Sequence, residues 1–203
     1  MSLEFNRRSF LKYSAAAAVA VAGSSLLTGC GEDEYQKTGK IGSTLKLMGA
    51  FKLESASLAT SAGSTKNLVC NFNLKCTSKY GLNIVPSNFQ VEVTSKATEK
   101  VTTYHAFNAS SSSTVTLSNN DNYLEKDESL DTTLTVTNIS VADGDTIKVK
   151  FWPRPQASEG SQAYTRAFCT WKMTAKADAT TGTITLESVS YTHLRAHETD
   201  SYL

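Results

Sequence analysis

Strict alternation of side chains over residues 67–77 constrains the fold of this chain more than any other feature. Apolar residues occupy every second position, namely Leu68, Cys70, Phe72, Leu74 and Cys76. Positions 71, 73, 75 and 77 are polar or charged. Because successive side chains of a β-strand point to opposite faces of the sheet, this pattern predicts a strand with one face on a core and one in water.

Further segments repeat the pattern at short intervals. Clear alternation occurs at residues 89–93, 130–136 and 147–151, and weaker strands are predicted at 44–58, 101–107, 114–117, 163–173 and 183–186. Asp143-Gly144, between two of these runs, predicts a tight turn. Many short strands separated by turns are typical of an antiparallel β-sandwich, so we predict an all-β fold.

The order of these features resembles the immunoglobulin-like "immunoprotective extracellular" domains of bacterial lipoproteins. The shared order is a strand at 51–58, the long strand ending in Lys75-Cys76-Thr77, an irregular stretch through Ile84-Val85-Pro86, strands at 89–91 and 130–136, and a strand at 147–151 after Asp143-Gly144-Asp145. The resemblance implies an immunoglobulin-like β-sandwich over residues 45–188, truncated at its C-terminus. It also implies a binding or scaffold module at the cell surface, and it provides no catalytic residue.

The N-terminus resembles an export signal. Arg7, Arg8, Phe10 and Leu11 match the motif of bacterial twin-arginine translocation substrates, and an Ala-rich run follows them up to Leu27. That run is weakly apolar and contains serines, whereas a membrane span needs about 20 predominantly apolar residues. We therefore predict a helical, cleaved signal segment over residues 1–29 rather than a transmembrane anchor.

Leu27-Thr28-Gly29-Cys30 resembles the lipobox of bacterial lipoproteins. The resemblance implies a diacylglyceryl group on the Cys30 thiol and cleavage that leaves Cys30 as the new N-terminus. Two or more acyl chains hold a protein stably on a membrane, which predicts a lipid-anchored protein on the extracytoplasmic face. The alternative is ordinary signal cleavage near a chance cysteine. Residues 30–44 are polar and contain glycine, so we predict a flexible tether there.

The C-terminal residues 189–203 resemble the translation of the adapter used in transposase-based sequencing libraries. We therefore expect this segment to be an artefact. His193 and His197 would share one face of a helix, as in some metal sites, but both fall in this segment and are set aside. His105 is then the remaining histidine, and its position on a predicted strand without a nearby nucleophile indicates an ordinary surface residue.

Three cysteines remain once Cys30 is assigned to the lipid. Cys70 and Cys76 lie about 20 Å apart on one extended strand, which is too far for a mutual disulfide. The immunoglobulin resemblance suggests a bridge from this strand to Cys169, with Cys70 marginally favoured over Cys76. Buried thiols that pack as small apolar groups are the alternative. The spacing of cysteines and histidines indicates no metal site.

Aromatic side chains in the second half of the chain allow two interpretations. Tyr104, Tyr123, Trp152, Tyr164 and Trp171 could in part form a recognition patch. Core packing is the favoured role for most of them, because large aromatic side chains dominate the cores of small domains.

Charge and motifs narrow the functional class. The chain carries 20 Lys and Arg against 19 Asp and Glu, without a basic stripe, which argues against a nucleic acid partner. We predict no catalytic residue, no metal and no cofactor, and a non-enzymatic binding or structural lipoprotein of the cell envelope with an envelope protein or glycan as partner. The alternatives are a transporter-associated lipoprotein that presents a ligand, and a redox or metal protein that uses Cys70, Cys76 and Cys169.

Overall fold

The computed structural model describes residues 35–60, 64–107, 113–119, 123–154 and 166–189. All of them belong to one compact unit, Glu32–Leu203. They form strands and one short 3₁₀ helix, without an α-helix in these ranges, which confirms the all-β prediction. The signal segment over residues 1–29, including its predicted helix, lies outside the described residues.

The strands are numbered in the order in which they follow one another along the chain. In order they are β1 (Gln36–Gly39), β2 (Thr44–Lys46), β3 (Gly49–Thr60), β4 (Lys66–Cys76), β5 (Leu82–Asn83), β6 (Phe89–Thr94), β7 (Val101–His105), β8 (Val115–Leu117), β9 (Tyr123–Leu124), β10 (Ser129–Ile139), β11 (Thr146–Phe151), β12 (Phe168–Ala177) and β13 (Ile184–Ser188). The 3₁₀ helix, Pro86–Asn88, directly precedes β6.

These strands are arranged in two main sheets. The first sheet has the order β2-β3-β4-β10-β8 and is antiparallel throughout. The second has the order β1-β12-β11-β6-β7, in which β1 runs parallel to the start of β12 and β13 pairs with the rest of it. Strands β5 and β9 form a separate two-stranded ladder.

A single apolar core lies between the two sheets. The alternation over residues 67–77 is confirmed, because its five apolar side chains are all buried on β4. Aromatic rings connect the sheets: Phe72 contacts Phe89 with 5.3 Å between ring centroids, and Phe51 contacts Phe151 at 4.7 Å. Aromatic pairs of this geometry add about 1 kcal/mol each beyond the area that they bury.

The predicted tether over residues 30–44 is wrong at Gln36–Gly39, which form β1. This segment pairs with Phe168–Trp171, about 130 residues later in the chain. Its four residues are all half-buried and do not alternate, so the local pattern contains no strand signal. The pairing with a distant strand supplies the backbone hydrogen bonds that order it.

Two predicted strands have different bounds in the structure. The strand at 44–58 is two strands, β2 and β3, because the chain reverses at Leu47 and Met48, where Met48 adopts a φ of 58°. The strand at 163–173 begins at Phe168 and continues to Ala177, while residues 163–165 lie outside the described residues.

The predicted turn at Asp143-Gly144 is confirmed, and it organises one end of the domain. Gly144 has a φ of 80°, which glycine adopts without strain. The adjacent Asp145 is buried, and its carboxylate accepts hydrogen bonds from the backbone N–H groups of Lys96 (2.9 Å) and Ala142 (2.8 Å). The Asp145 carbonyl also accepts the N–H of Ala175. Through its carboxylate and its backbone carbonyl, Asp145 thus joins three chain segments.

Candidate functional site

The residues of the predicted export and lipidation signal lie outside the described residues. They are Arg7, Arg8, Phe10, Leu11 and Cys30. His193 and His197 lie outside them as well. The candidate sites that the structure does describe are the cysteines, His105 and the aromatic side chains.

Cys70, Cys76 and Cys169 are all buried as thiols, and no disulfide joins them. The suggested bridge between Cys70 and Cys169 is therefore absent. Burial also raises the pKa of the Cys70 thiol far above its ordinary value, because the thiolate would lose its hydration. A thiol of this kind is inert rather than nucleophilic.

The packing of the two sheets explains why the cysteines do not meet. Phe51 of the first sheet contacts Phe151 of the second. Phe51 is the register partner of Leu74, and Phe151 is the register partner of Cys169. Leu74 and Cys169 therefore lie at about the same level along the domain.

A second contact sets the relative direction of the strands. Phe72 lies against Trp171, with 5.3 Å between ring centroids. The step from Phe72 to Leu74 on β4 thus matches the step from Trp171 to Cys169 on β12, so these two strands run antiparallel across the core.

Cys70 then lies four residues away from the level of Cys169, which is about 13 Å along the strands, and the sheets are about 10 Å apart. Cys76 is displaced by two residues in the other direction, about 7 Å along the strands. A disulfide requires Cα atoms within about 7 Å, so the structure brings no two of these cysteines together for a bridge or a shared metal.

His105 lies on β7 and is half-buried. Its Nδ1 accepts a hydrogen bond from the backbone N–H of Phe107 (3.2 Å), and the two rings are in contact. Across the described parts of the chain, no group of three or more His, Cys, Asp or Glu side chains is placed to hold a metal ion.

Most aromatic residues of the predicted recognition patch are in the interior. Trp171 is fully buried in the core, and Tyr104 and Trp152 are buried as well. Tyr123 is exposed, and Tyr164 lies outside the described residues. Core packing therefore accounts for Trp171 and Tyr104, and Tyr123 is the member of the set that faces solvent.

Tyr123 belongs to an exposed aromatic pair that the sequence analysis did not anticipate. Its side chain is 59 % exposed and that of Tyr80 is 72 % exposed. The Tyr123 hydroxyl donates a hydrogen bond to the Tyr80 carbonyl (2.8 Å), and the Lys79 ammonium lies 4.8 Å from the centre of the Tyr80 ring. Gly81 has a φ of 69°, and a Cβ there would collide with the Tyr123 hydroxyl.

Two more exposed side chains lie at the same end of the domain. Met48 precedes the first residue of β3, which pairs with Cys76, the last residue of β4. Tyr35 precedes β1, and its carbonyl accepts the N–H of Phe168, the first residue of β12. We call the end that carries Tyr35, Met48, Tyr80 and Tyr123 the tyrosine end.

Charges at the tyrosine end are of both signs and partly paired. Lys126 lies 4.0 Å from Asp127, and the Glu128 carboxylate accepts the backbone N–H of Glu125 (2.8 Å). Lys79 contacts Tyr80 as described above. Two exposed arginines lie at this end as well, Arg154 shortly after β11 and Arg166 shortly before β12. The surface of the tyrosine end therefore combines aromatic rings with charged groups of both signs.

The sequence does contain a signal for the exposed tyrosines, although a weak one. Tyr80 stands in Thr77-Ser78-Lys79-Tyr80-Gly81, a segment of turn-forming residues between two predicted strands. A large aromatic residue within such a turn has no strand face that would bury it. Tyr, Ser, Gly and Asn are also the residues that are enriched in the binding loops of antibodies.

No helix among the described residues is long and apolar enough to span a membrane. Residues 4–24 match the family model of the TAT (twin-arginine translocation) pathway signal sequence. The predicted export signal is thereby confirmed, and such a signal implies export across the cytoplasmic membrane.

No curated protein matches the chain. Among solved structures, the chain is similar to the crystal structure of "a putative lipoprotein (ycdA)" from Bacillus subtilis subsp. subtilis strain 168, with 14% sequence identity and a TM-score of 0.40. The alignment covers 67% of this chain and 39% of that chain. A likeness at this score carries no argument about fold or function.

Proposed function

We propose that this protein is a lipoprotein of the cell envelope, anchored on the extracytoplasmic face of the membrane by acyl chains on Cys30. The observation that carries the proposal is the order of signals along the chain. The twin-arginine signal matches residues 4–24, and the lipobox-like Leu27-Thr28-Gly29-Cys30 follows within three residues. The described β-domain then begins only a few residues after Cys30.

We further propose that the domain is an immunoglobulin-like β-sandwich. Support comes from the strand order. In immunoglobulin-type domains, seven strands named A to G in chain order divide into the sheets A-B-E-D and G-F-C. With β3, β4, β6, β8, β10, β11 and β12 as A to G, the sheets here are β3-β4-β10-β8 and β12-β11-β6, which is the same arrangement. Strand β7 then occupies the additional position beside C.

For such a domain, a non-enzymatic binding or structural role is the function that we propose, with an envelope protein or a glycan as the partner. Immunoglobulin-type sandwiches present recognition surfaces on loops at their ends. Both ends of this domain carry exposed apolar side chains, Tyr80 and Tyr123 at one end and Val101 at the other. Reproducible substrate turnover by the purified full-length protein in a broad hydrolase screen would contradict this role.

The lipid anchor is tested by replacement of its cysteine. In a bacterial host with twin-arginine export, the wild-type chain should be recovered in the membrane fraction, with an intact mass that corresponds to an acylated N-terminal Cys30. Cys30→Ser should be found in the soluble extracytoplasmic fraction without acyl groups, because the thiol that carries them is absent. A C30S protein that remains in the membrane although its mass shows that the signal segment has been removed would refute the proposal.

The matched control addresses export itself. Replacement of Arg7 and Arg8 by Lys should keep the protein in the cytoplasm, whether or not Cys30 is present. Retention in the cytoplasm identifies a failure of export. The C30S protein, in contrast, is exported and lacks only the lipid.

A further inference from the structure

Four of the five large apolar side chains that are exposed in the described residues lie at the tyrosine end. They are Tyr35, Met48, Tyr80 and Tyr123. The fifth, Val101, begins β7 and lies at the opposite end, where β6 and β7 are joined. Single exposed apolar residues need no explanation, but their concentration at one end indicates a contact surface.

The chain enters the domain at this same end. Tyr35 precedes β1, which starts beside Phe168 at the tyrosine end and runs away from it. Cys30 is five residues before Tyr35, and five residues span at most about 18 Å when fully extended. β4 has 11 residues and is about 36 Å long, so the opposite end lies farther from Cys30 by roughly that length.

The chemistry of the tyrosine end suits the interface between lipid headgroups and acyl chains. Tyrosine has an apolar ring and a polar hydroxyl and is enriched at membrane–water interfaces for that reason. Lys79, which lies over the Tyr80 ring, has a long apolar stem that can lie along the interface while its ammonium stays in water. The tyrosine end carries charges of both signs, such as Lys79 and Arg154 against Glu128, which suits zwitterionic headgroups because these carry both charges themselves.

We infer that the tyrosine end rests on the membrane surface, with Tyr80 and Tyr123 in the interfacial layer of a zwitterionic bilayer. This inference rests on the proposed lipid anchor at Cys30, because the short connection is what holds this end near the bilayer. The contact orients the domain so that the end with Asp145 and Val101 points away from the membrane.

The test uses the full-length protein, purified in detergent from the exporting host and reconstituted into phosphatidylcholine vesicles. The reporter variant is Tyr80→Trp, and the matched control is Val101→Trp, since Val101 is also exposed (52 %) but lies at the opposite end. The two natural tryptophans, Trp152 and Trp171, are buried, and the wild-type protein provides their background. Lipids brominated near the headgroup end of their acyl chains quench tryptophans in the interface.

Y80W fluorescence should fall at least about twofold in brominated relative to ordinary vesicles, because tryptophan shares the interfacial preference of tyrosine, while V101W should be unchanged. Equal quenching of both variants, or none of Y80W, would overturn the inference.

Intact mass of the same samples separates the two proposals. Acylated protein without quenching of Y80W would refute the membrane contact and leave the lipid anchor in place. Protein without acyl groups on Cys30 would refute both. A blue shift of Y80W fluorescence that depends on protein density instead of bromination would indicate that this end contacts a second copy of the chain. A blue shift found only in native membranes would indicate contact with a membrane protein. Each of these results would also overturn the inference.

Discussion

The two ends of the domain use their polar and aromatic groups in different ways. At the opposite end, carboxylates bind backbone N–H groups of neighbouring loops, as Asp145 does with Lys96 and Ala142. At the tyrosine end, the loops present Tyr80 and Tyr123 to solvent, and the hydroxyl of Tyr123 holds the Tyr80 segment in place. The end with Asp145 therefore uses its polar groups to bind neighbouring segments of the domain to one another. The tyrosine end is stabilised by local contacts and still exposes apolar surface.

The largest effect is expected from Asp145→Ala. The replacement leaves two N–H groups around a buried position without their acceptor, so we expect the free energy of unfolding to fall by about 3 kcal/mol. Denaturant unfolding of the purified protein measures it. The matched control is Asp143→Ala, which removes one bond to the N–H of Ala177 at an exposed position and should cost about 1 kcal/mol. Equal losses of stability in the two variants would contradict the role of Asp145 in holding neighbouring segments together.

A smaller effect is expected from Gly81→Ala at the tyrosine end. Gly81 and Gly182 both have positive φ, 69° and 67°, but a Cβ would collide with Tyr123 only at Gly81 and would meet open space at Gly182. Gly182→Ala should cost about 1 kcal/mol for the backbone conformation alone. Gly81→Ala should cost about twice as much and should displace Tyr123.

Urea unfolding of both glycine variants gives the difference in stability, and tyrosine side-chain NMR signals report the displacement. Indistinguishable variants would show that Tyr123 moves aside without cost, and the tyrosine end would then be less rigid than its contacts indicate.

The smallest effect that we expect is a pH-dependent contribution of Asp178, in the turn after β12, to the stability of the domain. Backbone N–H groups of Thr181 and Thr180 stabilise the ionised Asp178 carboxylate and lower its pKa below the ordinary value. Because the pKa is lower in the folded than in the unfolded chain, the stabilisation is present at neutral pH, above the unfolded pKa of about 4. It is lost as the pH falls through the lowered folded pKa.

Asp178→Asn should therefore reduce stability slightly at pH 7 and have no effect at strongly acidic pH, because both side chains are then uncharged. Denaturant unfolding of the variant and of the wild-type protein across this range measures the difference. A difference that grows towards acidic pH would contradict the assigned direction of the pKa change.

The sequence predicted those strands whose burial alternates, because that signal is local. β4 and the strands beginning at Phe89, Ser129 and Thr146 bury every second side chain or nearly so, and each was expected close to its observed position. β1 was missed because its four residues are equally half-buried and its partner strand is far along the chain.

For the candidate sites, too, local features could be predicted from the sequence and long-range ones could not. A buried position for Cys70 could be predicted from its place on an apolar strand face, but its separation from Cys169 depends on how β4 crosses β12 in the opposite sheet. The tyrosine end could not be predicted as a surface, because Tyr35, Met48, Tyr80 and Tyr123 come from four segments that are separate in sequence. The exposure of each depends on how its segment is placed at the end of the two sheets.

The amino-acid sequence by itself determined the export signal and the all-β character of the domain. Both are properties of contiguous residues: a short motif with an apolar run, and a period of two along a strand. The tertiary structure alone decided that β1 joins the second sheet, that the cysteines remain apart, and that four exposed side chains share the end where the chain enters. These depend on pairing between distant segments, which the packing of two sheets around one core determines.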